Sequence, residues 1–94
     1  MGKEDRKRQV LRLLVDSGFA LPPAAIFRNA KLRGATFERR SVNNYLDELV
    51  DEGLVAIVDP DALEEGKIEE SESNRGYFMA TDAGVEAIES FDSN

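Results

Sequence analysis

The 94-residue chain contains no cysteine and no histidine. Without cysteine there is no disulfide framework, no thiolate metal site and no cysteine nucleophile. Without histidine the usual general base and the commonest metal ligand are missing. Long apolar runs are lacking too, since none approaches the roughly 20 residues of a membrane span. The charged start, Met1 to Arg8, is not followed by the uninterrupted apolar region of a signal peptide. These absences predict one cytoplasmic domain with no membrane contact, no cofactor and no evident small-molecule ligand. They also leave an enzyme without its usual groups. A chain of this length folds around one core with little burial to spare.

What is abundant is negative charge, and its distribution is uneven. Residues 1–44 hold ten Lys/Arg and four Asp/Glu, a balance of +6, whereas residues 45–94 hold two and fifteen, a balance of −13. Such asymmetry between halves points to a charged partner on one side. Lysine numbers only four against nineteen acidic residues. Acid excess with arginine favoured over lysine suits a halophilic, archaeal protein, because at about 1 M salt the screening length shrinks to about 3 Å and dense carboxylates become tolerable. An ordinary acidic bacterial protein has the same composition. The carboxylate runs show neither glycosidase-like pairing nor calcium-loop spacing, so they read as solvated surface with no metal site.

Apolar periodicity predicts a first helix over about Glu4–Asp16, with Val10, Leu11, Leu14 and Val15 on one side and Ser17-Gly18 as its stop. Phe19-Ala-Leu21 is held extended by the prolines that follow. Pro22-Pro23 opens a second helix, with Ile26, Phe27 and Ala30 inward, and Gly34 pivots the turn after it. A third helix runs over about Glu38–Glu52. Val42, Leu46, Leu49 and Val50 form its core face, Thr36 is its expected N-cap and Gly53 its stop. Strands follow at 54–58 and about 76–80. Between them Asp59-Pro60-Asp61 reads as a turn, Ala62–Glu65 as a brief helical turn, and Glu69–Asn74 as an unanchored, mobile stretch. Thr81 caps a last helix, with Val85, Ile88 and Phe91 facing inward. Phe19, Phe27, Phe37, Phe78 and Tyr77 are assigned to core and strands; Tyr45 either packs on the second helix or offers its hydroxyl to a phosphate, with core packing the preferred use.

This order is that of an α+β winged helix-turn-helix: a three-helix core, a two- or three-stranded β-wing and a C-terminal helix. A single DNA-binding domain would span 1–94, with an acidic wing loop at 59–75. Four segments then carry a likeness: Phe19-Ala-Leu-Pro-Pro23; Arg33-Gly-Ala-Thr-Phe37; Ser41-Val42 with Leu46, Leu49 and Gly53-Leu-Val55; and Tyr77 with Thr81-Asp-Ala-Gly84. On these the chain resembles haloarchaeal winged-helix transcriptional regulators of the phage phi-H repressor-like type, over roughly residues 8–90. The resemblance implies a repressor-like role on DNA. It departs at the wing tip, where only Lys67 and Arg75 stand among Glu64, Glu65, Glu69, Glu70 and Glu72.

The candidate site is the start of the third helix. Arg39, Arg40, Ser41, Asn43 and Asn44 lie off the apolar stripe, where a recognition helix reaches base edges in the major groove. Arginine pairs with guanine O6 and N7, and asparagine with adenine N6 and N7. Lys31, Arg33 and Thr36 around the turn are candidates for phosphate contacts; Arg6, Lys7 and Arg8 would do the same or flank a dimer contact. The plain alternative is that these arginines and lysines only keep the surface solvated. Asp47, Glu48, Asp51 and Glu52 make the helix's second half acidic, so only its first turns approach a duplex without repulsion. The expected function is sequence-specific binding of double-stranded DNA by a homodimer that regulates transcription. The competing reading is a winged-helix protein-interaction module that uses its acidic surface.

Overall fold

The computed structural model describes residues 2–71 and 76–92. It is a small α+β domain in the order α1 (Lys3–Ser17), α2 (Pro23–Leu32), α3 (Arg39–Asp51), β1 (Val55–Val58), α4 (Pro60–Glu64), β2 (Tyr77–Ala80) and α5 (Asp82–Asp92). Helix and strand positions agree with the periodicity to within two residues.

Helix α1 is the hub, packing on α2, α3, α5 and β2. Val10, Leu11 and Leu14 turn inward as their spacing requires, and Leu13 joins them. From α2 come Ile26 and Ala30, and from α3 Val42, Leu46 and Leu49, all buried. Burial of this apolar surface is the main driving term, at about 25 cal/mol per Å² removed from water.

The two stops around α3 share one design. Gly34 (φ 92°) donates to the Lys31 carbonyl at 3.0 Å and Ala35 to Ala30 at 3.0 Å. Gly53 (φ 77°) donates to Val50 and Leu54 to Leu49, each at 3.0 Å. Paired bonds of this kind close a helix only through a left-handed residue, which glycine adopts without a Cβ penalty. They set the angle at which α2 hands over to α3 and α3 to β1.

Strands β1 and β2 pair antiparallel, with Val55 opposite Ala80 and Val58 opposite Tyr77. Both outer edges are occupied. Leu21 exchanges backbone bonds of 2.9 and 2.8 Å with Phe78, and Val58 bridges to Glu70. On that second edge Asp59 donates to the Glu69 carbonyl at 2.8 Å and Ser71 to Ile57 at 2.9 Å. Covered edges remove the unpaired backbone rows that invite association.

Four expectations are corrected. Thr36 does not cap α3: the helix starts after Glu38, whose backbone is extended, and no side chain caps it. Phe37, buried and edge-on to Tyr45 at 5.6 Å, lies between Thr36 and Glu38, so Thr36 stands two residues before the N-cap position. Residues 69–71 are held by backbone bonds to β1 rather than being unanchored; the rest of that stretch, 72–75, lies outside the described residues. Phe19 is 69% exposed instead of joining the core, because its N–H bonds back to Ser17 Oγ at 3.2 Å and holds the chain in a bend. Phe91 is 45% exposed, with the Arg8 guanidinium stacked 3.6 Å above its ring. Tyr45 is buried in the core, and its ring partner is Phe37 rather than a residue of α2.

Candidate nucleic-acid interface

Helix α3 has two opposite faces. Val42, Tyr45, Leu46 and Leu49 are buried on one, and Arg40, Asn44, Asp47 and Asp51 are exposed on the other. Spacings of three and four residues place each set on a single stripe. Arg39 and Asn43 lie on one flank of the outward stripe and are also exposed. Ser41 lies on the opposite flank, half-buried, in a shallow depression it shares with Asn44, Asp47, Lys3 and Glu48. The fold therefore brings Arg39, Arg40, Asn43 and Asn44 onto one accessible surface, with Ser41 half-buried at its edge beside Asn44.

These exposed groups are weakly held. Arg40 approaches Glu38 at 3.7 Å, with side chains 85% and 78% exposed. A pair that open to water is worth about 0–1 kcal/mol, so the guanidinium exchanges it readily for another acceptor. Around the turn, Lys31 and Thr36 are exposed, and the Lys31 ammonium sits 5.5 Å from the Phe27 ring. Arg33 is bonded to Asp16 at 2.7 Å. A phosphate contact by Arg33 must compete with that bond.

The basic first half of the chain is not a free positive surface. Lys7, expected to be a phosphate or dimer contact, has a side chain only 6% exposed. Its ammonium lies 2.9 Å from Glu52, 3.4 Å from Glu4 and 3.7 Å from Glu48. Lys3 adds a 2.7 Å contact to Glu48. The hydrogen bond to Glu52, joined by the negative charge of Glu52 and Glu4, raises the Lys7 pKa above its usual value despite burial. The hydrogen bond from Lys3, helped by the charges of Lys3 and Lys7, lowers that of Glu48. A buried charge survives only when paired and hydrogen-bonded in this way. The network ties the start of α1 to the second half of α3.

That role was hidden in the sequence, although a signal existed. Lys7 continues the buried stripe of Leu11 and Leu14 at spacings of four and three residues, so a helical projection puts its stem inside. The four carboxylates of α3 look alike in sequence. The structure sorts them: Glu48 and Glu52 meet lysines, whereas Asp47 and Asp51 point outward with no side-chain partner among the described residues.

Beyond α3, the connection between the strands is acidic in the described part. Glu64, Glu65, Glu69 and Glu70 are exposed, with Lys67 their single exposed cation; Arg75 lies outside the described residues. Among those residues no group of three acidic side chains is arranged to hold a metal ion, and no helix is long and apolar enough to cross a membrane. No family model matches the chain, and neither a curated protein nor a solved structure matches it.

Proposed function

We propose that this chain is a winged helix-turn-helix protein that binds double-stranded DNA sequence-specifically and represses transcription, with α3 as the recognition helix. One observation carries the reading. The first two turns of α3 expose two arginines and two asparagines on a helix whose opposite side is buried core. Those side-chain types match purine edges in the major groove, and the N-terminal part of a recognition helix is the part that reaches them. The order of elements, with Leu21 supplying a third strand position beside β2, favours the winged-helix class. So does the resemblance to phi-H repressor-like regulators.

In this reading Lys31 and Thr36 position the domain on phosphates, with Arg33 contributing when it leaves Asp16. The acidic connection between β1 and β2 stays off the duplex, so α3 is the principal reader. A homodimer would place two such helices about one helical turn, or roughly 34 Å, apart. We assign no catalytic step and no cofactor. The acidic residues let the protein work in a salt-rich cell, where phosphate attraction is screened.

The test is selection of bound fragments from a genomic library, followed by titration of the selected duplex with wild type, Arg39→Ala and Arg40→Ala. Loss of a base-contacting arginine is expected to weaken specific binding by about 1–3 kcal/mol. Unchanged affinity in both variants would remove α3 from the interface. Failure to select any duplex, together with capture of a basic protein surface, would favour the competing interaction module. The outward Asp47 and Asp51 are the observation on that side.

A further inference from the structure

The outward stripe of α3 changes character halfway along. Arg40, Asn44, Asp47 and Asp51 follow one another at spacings of four, three and four residues, all exposed. A cation, an amide and two carboxylates thus share one seam. Glu48 and Glu52 are engaged by Lys3 and Lys7, while Asp47 and Asp51 have no side-chain partner among the described residues. Among the described residues no ion pair or hydrogen bond holds the Asp47 side chain, yet it stands one turn beyond Asn43 and Asn44, on the surface assigned to DNA.

Resting on the DNA-reading role above, we propose that Asp47 is a specificity-determining residue that accepts a hydrogen bond from the N4 amino group of a cytosine. An ionised carboxylate only accepts. Guanine shows it two acceptors in the major groove, thymine an acceptor and a methyl, and adenine an amino group beside the N7 acceptor. Cytosine alone offers a donor and no major-groove acceptor of its own, and acidic side chains pair with it. Facing any other base, the carboxylate loses its water for a poor or repulsive partner.

Helical rise gives the place. Seven residues separate Arg40 from Asp47, about 10.5 Å along the axis, or about three base-pair steps of 3.4 Å. With α3 along the groove, Asp47 therefore meets a base roughly three pairs from the one Arg40 contacts. Asp51 lies roughly 6 Å further along and meets the phosphate field beyond the base edges. It repels duplex DNA without reading it.

The experiment is selection from a randomised duplex library with the full chain, followed by binding of duplexes varied at each selected position by wild type, Asp47→Ala, Asp51→Ala and Arg40→Ala. The position read by Arg40 is located by its own variant. Wild type is expected to prefer cytosine about three pairs away, with roughly a 5- to 100-fold penalty for any other base. In Asp47→Ala that penalty falls to near unity. In Asp51→Ala it stays while affinity rises for all duplexes alike. Unchanged circular dichroism confirms that all three variants fold. A uniform rise in affinity for Asp47→Ala with base preferences intact would reduce Asp47 to a repelling charge and overturn the proposal. A selected duplex that depends on Arg40 and shows no such cytosine also overturns it, but leaves the DNA-reading role standing. If wild type selects no duplex, the DNA-reading role itself fails, and this assignment with it.

Discussion

Replacing Gly84 by alanine tests the packing that holds α5 on the domain. A Cβ at Gly84 would collide with the Leu54 carbonyl oxygen and lie 3.2 Å from its carbon and 3.1 Å from Leu11 Cδ1. Relief cannot come from a flexible side-chain tip, because the nearest atom is backbone. That oxygen is itself engaged, accepting the Thr81 N–H at 3.0 Å. Thr81 in turn accepts from the Gly84 N–H at 3.1 Å and donates its hydroxyl to the Gly53 carbonyl at 2.7 Å. Moving α5 outward therefore strains the cap of α5 and the end of α3 together. Overpacking costs about 1–3 kcal/mol, and a weakened hydrogen bond about 1 kcal/mol more. Alanine offsets roughly 1 kcal/mol of this through its better helix propensity. The net expectation is about 1–3 kcal/mol of destabilisation, which for a domain of this size lowers Tm by roughly 5–20 °C. Denaturant unfolding followed by far-UV circular dichroism measures it. An alanine variant as stable as wild type, or more so, would refute the close approach of α5 to Leu54.

The remaining predictions concern charge. Lys7 has its pKa raised in the folded state, so its stabilising contribution is fully present below the ordinary value of 10.5 and is lost as pH rises through the folded value. Chemical unfolding above that pH should show an alkaline decline that Lys7→Met lacks; equal slopes would dissociate Lys7 from the effect. Glu48 has the opposite sign: its lowered pKa gives stability present above the ordinary 4.5 and lost as pH falls through the folded value. Glu48→Gln should flatten the acid limb below that value, and an unchanged limb would refute the pairing with Lys3. Finally, the chain carries a net charge of −7, and raising salt from about 0.1 M to about 1 M shortens screening from about 10 to about 3 Å. Tm should rise with potassium chloride, because repulsion among the exposed carboxylates is screened more than the shielded Lys7 pairs. A fall in Tm would mean that the surface ion pairs outweigh the repulsion.

Much of the fold was legible because its signals are local. The stripe of Val42, Leu46 and Leu49, the proline start of α2, and the glycines at 34 and 53 each act within one or two helical turns. Thr81 bonds the N–H of Gly84, three residues on, as its place before α5 predicted. Misreadings arose where distant partners decided the outcome. Thr36 has the chemistry of a cap, but Phe37 packs on Tyr45 and the helix starts only after Glu38. Residues 69–71 have no apolar anchor of their own, and what holds them is the backbone edge of β1. Phe19 is apolar, yet a bend turns it outward.

The candidate surface divides in the same way. From the sequence alone come the helix that bears it, the residues at its first turns and the polarity of the chain, with cations early and carboxylates late. Which charges remain available was decided only in three dimensions. Lys7 meets Glu52 across 45 positions of sequence, and that contact removes one cation and one carboxylate from the surface together. Local periodicity fixes the direction a side chain leaves its helix. Whether it then finds a partner depends on how whole helices are placed against one another, and burial of the shared core sets that placement.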